Sequence, residues 1–233
     1  MRSPFYLLLT VAHWGHGDLR FWERFWGYRP PRWVAWVIGL VRGALPIALP
    51  VLAFPETAAS LLRHAALGLG LEAAPLPLAA PQVVWPLRAA LGAALALYGV
   101  AAVRAAPRRA ALAVDLFEVA LLLALFSLAP AYFAVGVYFV FWHAPRHLAR
   151  LALLRRADAE AVAAGRLWGP LRRLARDTLP LTLAALALLG GLYGLAAGRV
   201  TTLEGFVALY LVLISALTLP HAVVVALMDL WER

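Results

Sequence analysis

Five of the six histidines in this chain lie in three short motifs, and each motif belongs to a long apolar segment. The motifs are AHWGHGD with His13 and His16, FWHAPRH with His143 and His147, and LTLPH with His221, whereas His64 stands apart. An imidazole inside a membrane-spanning helix has lost its water and needs another partner, so it is a candidate for a functional site. Three separate segments therefore carry residues that can bind a metal ion or move a proton.

The two histidines of FWHAPRH have the spacing of a paired metal site. His143 and His147 are four residues apart, which on a helix puts them on one face with Cβ atoms about 5 to 6 Å apart. Both imidazoles can then reach the same metal ion. Pro145 lies between them, removes a backbone amide and favours a kink. The alternative is a pair of structural histidines whose hydrogen bonds are satisfied near a helix end.

The first and last motifs offer further ligands. His13 and His16 are three apart and can share a helix face, and Asp18 is well placed to accept a hydrogen bond from a metal-bound imidazole. Alternatively, His16 and Asp18 are polar groups at the membrane interface. His221 directly follows a proline, where a kink commonly opens a helix towards a cavity, and Asp229 is a candidate supporting group two turns further on. The alternative for His221 is hydrogen-bonded packing.

Two acidic residues lie inside another apolar segment, AVDLFEVALLL. Asp115 and Glu118 are three apart and are expected to face the interior, because a charged side chain in lipid is costly. They can support metal ligands, pair with Arg42 or Arg88, or form part of a proton path. The sequence does not choose among these roles.

Aromatic residues cluster beside the histidines. Tyr138, Phe139 and Trp142 precede the second histidine motif by a few residues or lie within it, and Trp14 belongs to the first. We expect these four rings to line an apolar tunnel. Most of the aromatic residues that follow Trp14 fit an ordinary belt at the membrane interface instead.

The composition identifies a polytopic membrane protein. Hydrophobic residues make up 64% of the 233 positions, which leaves too little polar surface to cover a soluble globule. The chain has no cysteine, so a metal must be bound by histidine or carboxylate. The net charge of +9 comes from arginines in short loops between apolar segments, where they act as topology signals, and we expect no nucleic-acid partner.

The apolar segments predict an all-α bundle of about seven transmembrane helices in a single membrane-embedded domain over residues 1–233. The predicted spans lie near 4 to 20, 33 to 54, 84 to 105, 110 to 128, 131 to 151, 178 to 198 and 202 to 229. Residues 55–83 are expected to contain a short interfacial helix, and residues 155–177 to form a charged amphipathic connection.

Arginines concentrate in the loops after the first, third and fifth predicted helices, which the positive-inside rule assigns to the cytoplasm. This predicts a multi-pass protein of the inner (plasma) membrane. His13, His147 and His221 each lie seven or eight residues before a charged residue at a predicted helix end. They are therefore expected at a common depth, about 10 to 12 Å inside and nearer the cytoplasmic side. Depth alone does not bring them together in the membrane plane.

Four stretches together resemble one family. They are HWGHGD at 13–18, RGALPIALP at 42–50, YFVFWHAPRHL at 138–148 and LTLPHAVVVALMD at 217–229. Their order and spacing resemble the Brp/Blh-type β-carotene 15,15′-dioxygenases over nearly the whole chain. The resemblance implies a membrane enzyme with non-haem iron(II), Fe(2+), that cleaves β-carotene at its central double bond with O2 to give two retinal molecules. It also implies a link to a retinal-binding rhodopsin.

The same resemblance implies ligand positions. His13, His143 and His147 match the family's metal ligands, and His221 lies in its closing motif. Members of the family usually begin with a further helix that carries a Pro-His-Gly…Asp motif, which this sequence does not contain. The sequence leaves three explanations: a start codon placed too late, a shortened variant in which His221 or His16 compensates, or loss of activity.

Three other functions fit parts of the sequence. Paired histidines are typical of a haem or quinone redox protein. Asp115, Glu118 and Arg42 together with the histidines would suit a transporter or proton-translocating protein, although the chain shows no internal repeat. A non-catalytic membrane helper in retinal-protein biogenesis is the third alternative.

Overall fold

The computed structural model describes the backbone of residues 3–72 and 76–231, and side chains from residue 7 to residue 227 within those ranges. The described residues form helices and no strand. In chain order the helices are α1 (Ser3–Trp26), α2 (Arg32–Ala53), α3 (Pro55–Gly68), α4 (Pro81–Ala105), α5 (Arg109–Leu128), α6 (Ala131–Tyr138), a π-helical turn (Phe139–His143), α7 (Ala144–Ala152), α8 (Arg156–Ala163), α9 (Trp168–Ala196) and α10 (Leu203–Trp231).

The predicted all-helical membrane bundle is confirmed. Among the described residues, five helices are long and apolar enough to cross a membrane, namely α2, α4, α5, α9 and α10. The other two predicted spans are helical but are not among these five long apolar helices. Helix α1 is 24 residues long but carries charged residues from Asp18 onwards. The span near 131 to 151 is divided into α6, the π-helical turn and α7.

Helix α2 lies at the centre of the bundle and contacts α1, α3, α4, α5 and α6. Its contact with α1 is a close backbone approach that depends on glycine. A Cβ atom on Gly15 would lie 1.7 Å from the carbonyl oxygen of Gly39, and one on Gly43 would lie 1.9 Å from that of Val11. Gly39 and Gly43 form a G-x-x-x-G motif, which lets membrane helices pack closely. This crossing brings Arg42 directly against α1.

Two predicted boundaries at the charged ends of helices are wrong. The first helix continues to Trp26 rather than ending near residue 20, and α9 begins at Trp168 rather than near residue 178. Arginine and glutamate are good helix formers, so a helix continues past the point where its apolar stretch ends. The predicted connection over 155–177 therefore contains α8 and the start of α9, where Arg173 donates a 2.8 Å hydrogen bond to Asp158.

The turn after α1 directs one side chain back into the bundle. Gly27 has a φ of 70°, a conformation that favours glycine. The amide of Tyr28 then bonds to the carbonyl oxygen of Trp22 at 3.3 Å, and the Tyr28 side chain is buried. The predicted short helix in residues 55–83 is α3, which packs against α10.

Candidate metal centre

Four of the predicted histidines lie together in the structure. The ring centroids of His13 and His221 are 5.0 Å apart, and those of His147 and His221 are also 5.0 Å apart. The centroids of His13 and His143 are separated by 6.2 Å. One ring nitrogen from each of His13, His143 and His221 lies within 4.8 Å of the other two. We call these four residues the histidine cluster; it joins α1, α10 and the segment from the π-helical turn into α7.

The donor atoms of this cluster suit a metal ion. His13, His143 and His147 line a cavity of about 20 Å³, which has room for one occupant about the size of a water molecule. The Nε2 atom of His13 is buried and has no hydrogen-bond partner in the described part of the chain. A buried nitrogen without a partner is costly to maintain, and a metal ion would satisfy it. Imidazole ligands suit iron, copper, zinc and nickel alike.

A local change of helix type positions His143. The amide of Ala144 bonds to the carbonyl oxygen of Phe139, five residues back, so the chain makes a π-helical turn that ends at His143. Pro145 follows and has no amide to donate. Single π-helical turns inside α-helices are frequent at functional sites. The sequence predicted a kink at Pro145, and the structure has a π-helical turn shortly before that residue.

The histidines converge, although their predicted depths were counted from predicted helix ends that differ from the helix ends in the structure. Helix α1 continues 13 residues beyond His13, whereas α7 ends five residues after His147. These distances correspond to about 20 Å and about 8 Å along the helices. Equal distance from the helix ends therefore does not account for the convergence of the rings. Asp229 was the reference residue for His221, and its side chain lies outside the described residues.

The structure does not bring His16 into the histidine cluster. His16 lies on the face of α1 that borders a groove against α2, and the Nε atom of Arg20 donates to its Nε2 atom at 3.4 Å. Asp18 lines the histidine cavity, but its bonds there are to arginines rather than to an imidazole. The predicted support of a ligand by Asp18 is therefore not a direct contact.

Asp18 belongs to a closed ring of alternating charges that we call the ion ring: Asp18, Arg42, Glu118 and Arg146. Arg42 donates to Asp18 and to Glu118, each at 2.6 Å. Arg146 donates to the other oxygen of Asp18 at 2.6 Å and to the other oxygen of Glu118 at 2.5 Å. Each carboxylate thus uses one oxygen for each arginine, and the ring joins α1, α2, α5 and α7.

A third carboxylate completes the surroundings of Arg42. Asp115 accepts hydrogen bonds from Arg42, from the Tyr98 hydroxyl and, at 3.0 Å, from the Tyr28 hydroxyl. Burial, together with the neighbouring Asp115 charge, raises the pKa of the Tyr28 hydroxyl, which keeps it protonated as a donor. Of the alternatives that the sequence left open for the acidic pair, the structure forms the ion pairs with Arg42. Arg88 instead donates to a backbone carbonyl of α2 at 2.7 Å.

Sequence reasoning did not single out Arg146, Tyr28 or Tyr98. Arg146 gave a usable signal, because an arginine inside an apolar helix needs a polar partner within the bundle. The two tyrosines gave none, since their hydroxyls become relevant only where the fold brings α4 and the turn after α1 against Asp115.

The four aromatic residues predicted to line a tunnel pack against neighbouring rings or against Arg146, and the tunnel itself stays a prediction. The ring of Trp14 lies 5.9 Å from that of Tyr138 and 5.5 Å from that of Phe139. Phe139 in turn lies 5.7 Å from the His143 ring. Trp142 lies against the Arg146 guanidinium, 4.3 Å from the ring centroid. Trp14, Tyr138 and Phe139 form what we call the aromatic wall beside the histidine cluster.

Comparison with known proteins agrees with the sequence motifs. The profile of the family described as β-carotene 15,15′-dioxygenase matches residues 5–229. The chain is 40% identical over 233 aligned positions to probable β-carotene 15,15′-dioxygenase Blh of Halobacterium salinarum strain NRC-1. It is 30% identical over 253 aligned positions to probable β-carotene 15,15′-dioxygenase Brp of strain R1 of the same species.

The matches extend along nearly all of this chain but not of the relatives. They cover 96% and 95% of the chain and 66% of each relative, so the chain spans slightly less than two thirds of their length. No solved structure matches the chain at a significant level. The match over residues 5–229 includes all four members of the histidine cluster. The chain therefore belongs to the β-carotene 15,15′-dioxygenase family.

Proposed function

We propose that this protein cleaves β-carotene at its central double bond with O2 and releases two molecules of retinal. The observation that carries the proposal is the convergence of four imidazoles from three separate segments, one of them with a buried nitrogen that has no partner among the described residues, in a chain of this family. One oxygen atom from O2 enters each retinal, so the reaction needs no other oxidant.

The proposed metal is iron(II), held by His13, His143, His147 and His221. The all-nitrogen donor set is compatible with iron, and we propose iron among the metals that imidazole binds because the sequence motifs resemble those of a family of iron enzymes. When bound, iron(II) supplies the redox chemistry by which O2 adds across a carbon–carbon double bond.

The chain's own residues bind and orient the substrate. β-Carotene is a long apolar polyene dissolved in the lipid, and we propose that it enters laterally from the membrane. The aromatic wall of Trp14, Tyr138 and Phe139 offers flat apolar surfaces against which a polyene packs favourably, directly beside His143. Side chains around the histidine cluster must move apart to admit the polyene, because the cavity lined by Trp14 and the histidines has a volume of only about 20 Å³. Retinal released into the lipid would be available to a retinal-binding rhodopsin.

Expression in a host that accumulates β-carotene tests the proposal. Wild-type protein should bleach the cells and produce retinal, measured by chromatography of cell extracts. His143→Ala and His147→Ala should abolish retinal formation and reduce the iron content of the purified protein. His64→Ala is the matched control, because His64 bonds to the Ser60 carbonyl oxygen at 2.9 Å on α3, outside the cluster. It should retain both activity and iron.

Two outcomes would contradict the proposal. Cells that keep their β-carotene while containing folded wild-type protein would favour a non-catalytic helper in retinal-protein biogenesis. A Soret band in purified protein would favour the haem alternative, since non-haem iron has no such band.

We also propose an orientation in the inner membrane with the histidine cluster nearer the cytoplasm, supported by the arginine-rich loops. The chain has no cysteine, so single introduced cysteines can be labelled one at a time. Arg108→Cys, between α4 and α5, should be protected from an impermeant thiol reagent in intact cells. Arg199→Cys, between α9 and α10, should react, and the reverse pattern would invert the orientation.

A further inference from the structure

We infer that the ion ring is a positioning device for the metal ligands: it fixes α7, which carries His147 and follows His143, against α1, which carries His13. The inference rests on the metal site proposed above. Arg146 and Asp18 are positioning residues in this scheme, because they act on the metal through the histidines and not by contact.

The ring and the histidine cluster join the same helices. Asp18 lies five residues after His13 in α1, and Arg146 lies between His143 and His147 in the chain. Asp18 and Arg146 bond to each other at 2.6 Å and line the same cavity as the three histidines. A change in this bond therefore alters the separation of ligands that belong to different helices.

Arg146 is held in a single orientation. Its guanidinium donates through two nitrogens to two different carboxylates, a planar arrangement that a lysine ammonium cannot reproduce. Its faces lie against aromatic rings, 4.9 Å from the centroid of Phe21 and 4.3 Å from that of Trp142. The side chain between His143 and His147 is thus fixed in direction as well as in position.

Arg42 makes the far side of the ring rigid. Its side chain is fully buried, and each of its three guanidinium nitrogens donates to a carboxylate. Asp18, Glu118 and Asp115 carry three negative charges against the two positive charges of Arg42 and Arg146, so the group has a net charge of −1.

Cobalt(II) titration of purified, metal-free protein separates position from charge. Asp18→Asn removes one charge and replaces one of the two acceptor oxygens by an NH2 donor, whereas Arg146→Lys keeps the charge and removes the two-armed bridge. Residues that orient metal ligands typically contribute 10- to 100-fold in affinity. We expect both variants to bind cobalt(II) about 10- to 100-fold more weakly than wild type and to change its visible absorption spectrum.

Asp158→Asn is the matched control. Asp158 is a buried carboxylate paired with Arg173, but it lies on α8 and outside the ring. This variant should bind cobalt(II) with wild-type affinity and spectrum. Glu118→Gln is the second ring variant, which tests the inference if Asp18→Asn fails to fold. It weakens one arm of the bridge, leaves the Asp18–Arg146 bond in place, and should alter the cobalt spectrum with a smaller loss of affinity.

The outcomes distinguish this inference from the proposed function. Wild-type affinity and spectrum in folded Arg146→Lys would overturn positioning, since charge alone would then suffice. Unchanged cobalt binding in folded Asp18→Asn or Glu118→Gln would overturn it as well. A wild-type protein that binds neither cobalt(II) nor iron(II) would overturn the metal site itself, and this inference with it.

Discussion

The histidine cluster and the ion ring are two polar regions side by side in an apolar bundle, and they differ in how completely their atoms are bonded. All six oxygens of Asp18, Asp115 and Glu118 accept hydrogen bonds, and every guanidinium nitrogen of Arg42 donates. In the histidine cluster, Nε2 of His13 has no partner among the described residues. Buried polar groups are normally satisfied. The ion ring and Asp115, whose carboxylate oxygens are all bonded, therefore hold the helices together. The histidine cluster keeps the lone pair of His13 Nε2 for a ligand.

The difference can be tested through the free energy of unfolding of metal-free protein in detergent. Removing Asp115 or a member of the ion ring should destabilise the fold, because it leaves buried charges without partners. Removing His13, whose Nε2 atom has no partner among the described residues, should not destabilise the fold.

Arg42→Met should have the largest effect. It leaves three carboxylates with fewer partners in the bundle core, and breaking a buried ion pair in this way costs about 3 to 5 kcal/mol. Thermal unfolding and size-exclusion chromatography would measure the loss. Arg88→Met is the control, because Arg88 donates only to a backbone carbonyl in the described contacts, and it should cost about 1 kcal/mol. Equal effects would contradict the assigned role of Arg42.

Gly15→Ala should come next, because it forces apart the α1–α2 crossing that places Asp18 against Arg42. Overpacking of this kind costs about 1 to 3 kcal/mol. Gly92→Ala on α4 is the matched control, since no atom outside its own helix turn lies within 4 Å of the added Cβ. It should leave stability unchanged or raise it by up to about 1 kcal/mol. Tolerance of alanine at residue 15 would show that the helices can separate.

Tyr28→Phe removes one of the hydrogen bonds to Asp115 and leaves the carboxylate with Arg42 and Tyr98. A hydrogen bond to a charged group contributes about 1.5 to 3 kcal/mol, and the remaining donors favour the lower end of that range. Equilibrium unfolding would measure it. A loss below the measurement error would mean that the turn after α1 does not hold the acidic group.

His13→Leu tests the histidine cluster, the less completely bonded of the two regions. Replacing an unpartnered buried imidazole by an apolar side chain should raise the stability of metal-free protein by about 1 kcal/mol while it abolishes metal binding. His16→Leu, three residues along the same helix, should leave metal binding unchanged, because His16 faces the groove against α2. Strong destabilisation by His13→Leu would show that His13 is a structural residue.

Much of the fold was predicted from the sequence, and the wrong helix boundaries have a common cause. Apolar length predicted α2, α4 and α5 to within a few residues, because the hydrocarbon thickness sets the length of a spanning helix. The end of α1 and the start of α9 were wrong, because hydropathy marks the membrane boundary and not the helix boundary. The G-x-x-x-G motif at Gly39 was visible in the sequence, but nothing there identified Gly15 as its partner.

The candidate site divides in the same way. The types of its residues and their cost in lipid determined that the intramembrane histidines, carboxylates and arginines need partners, and the motifs determined the family. Only the packing of the helices decided which partners they found: three histidine-bearing segments around one cavity, Asp18 with Arg146 rather than with an imidazole, and His16 on another face. The physical reason is that sequence specifies the chemistry of a side chain and the apolar segment that carries it. Its neighbours in the membrane plane depend on how helices cross, and close contacts such as the one at Gly15 set those crossings.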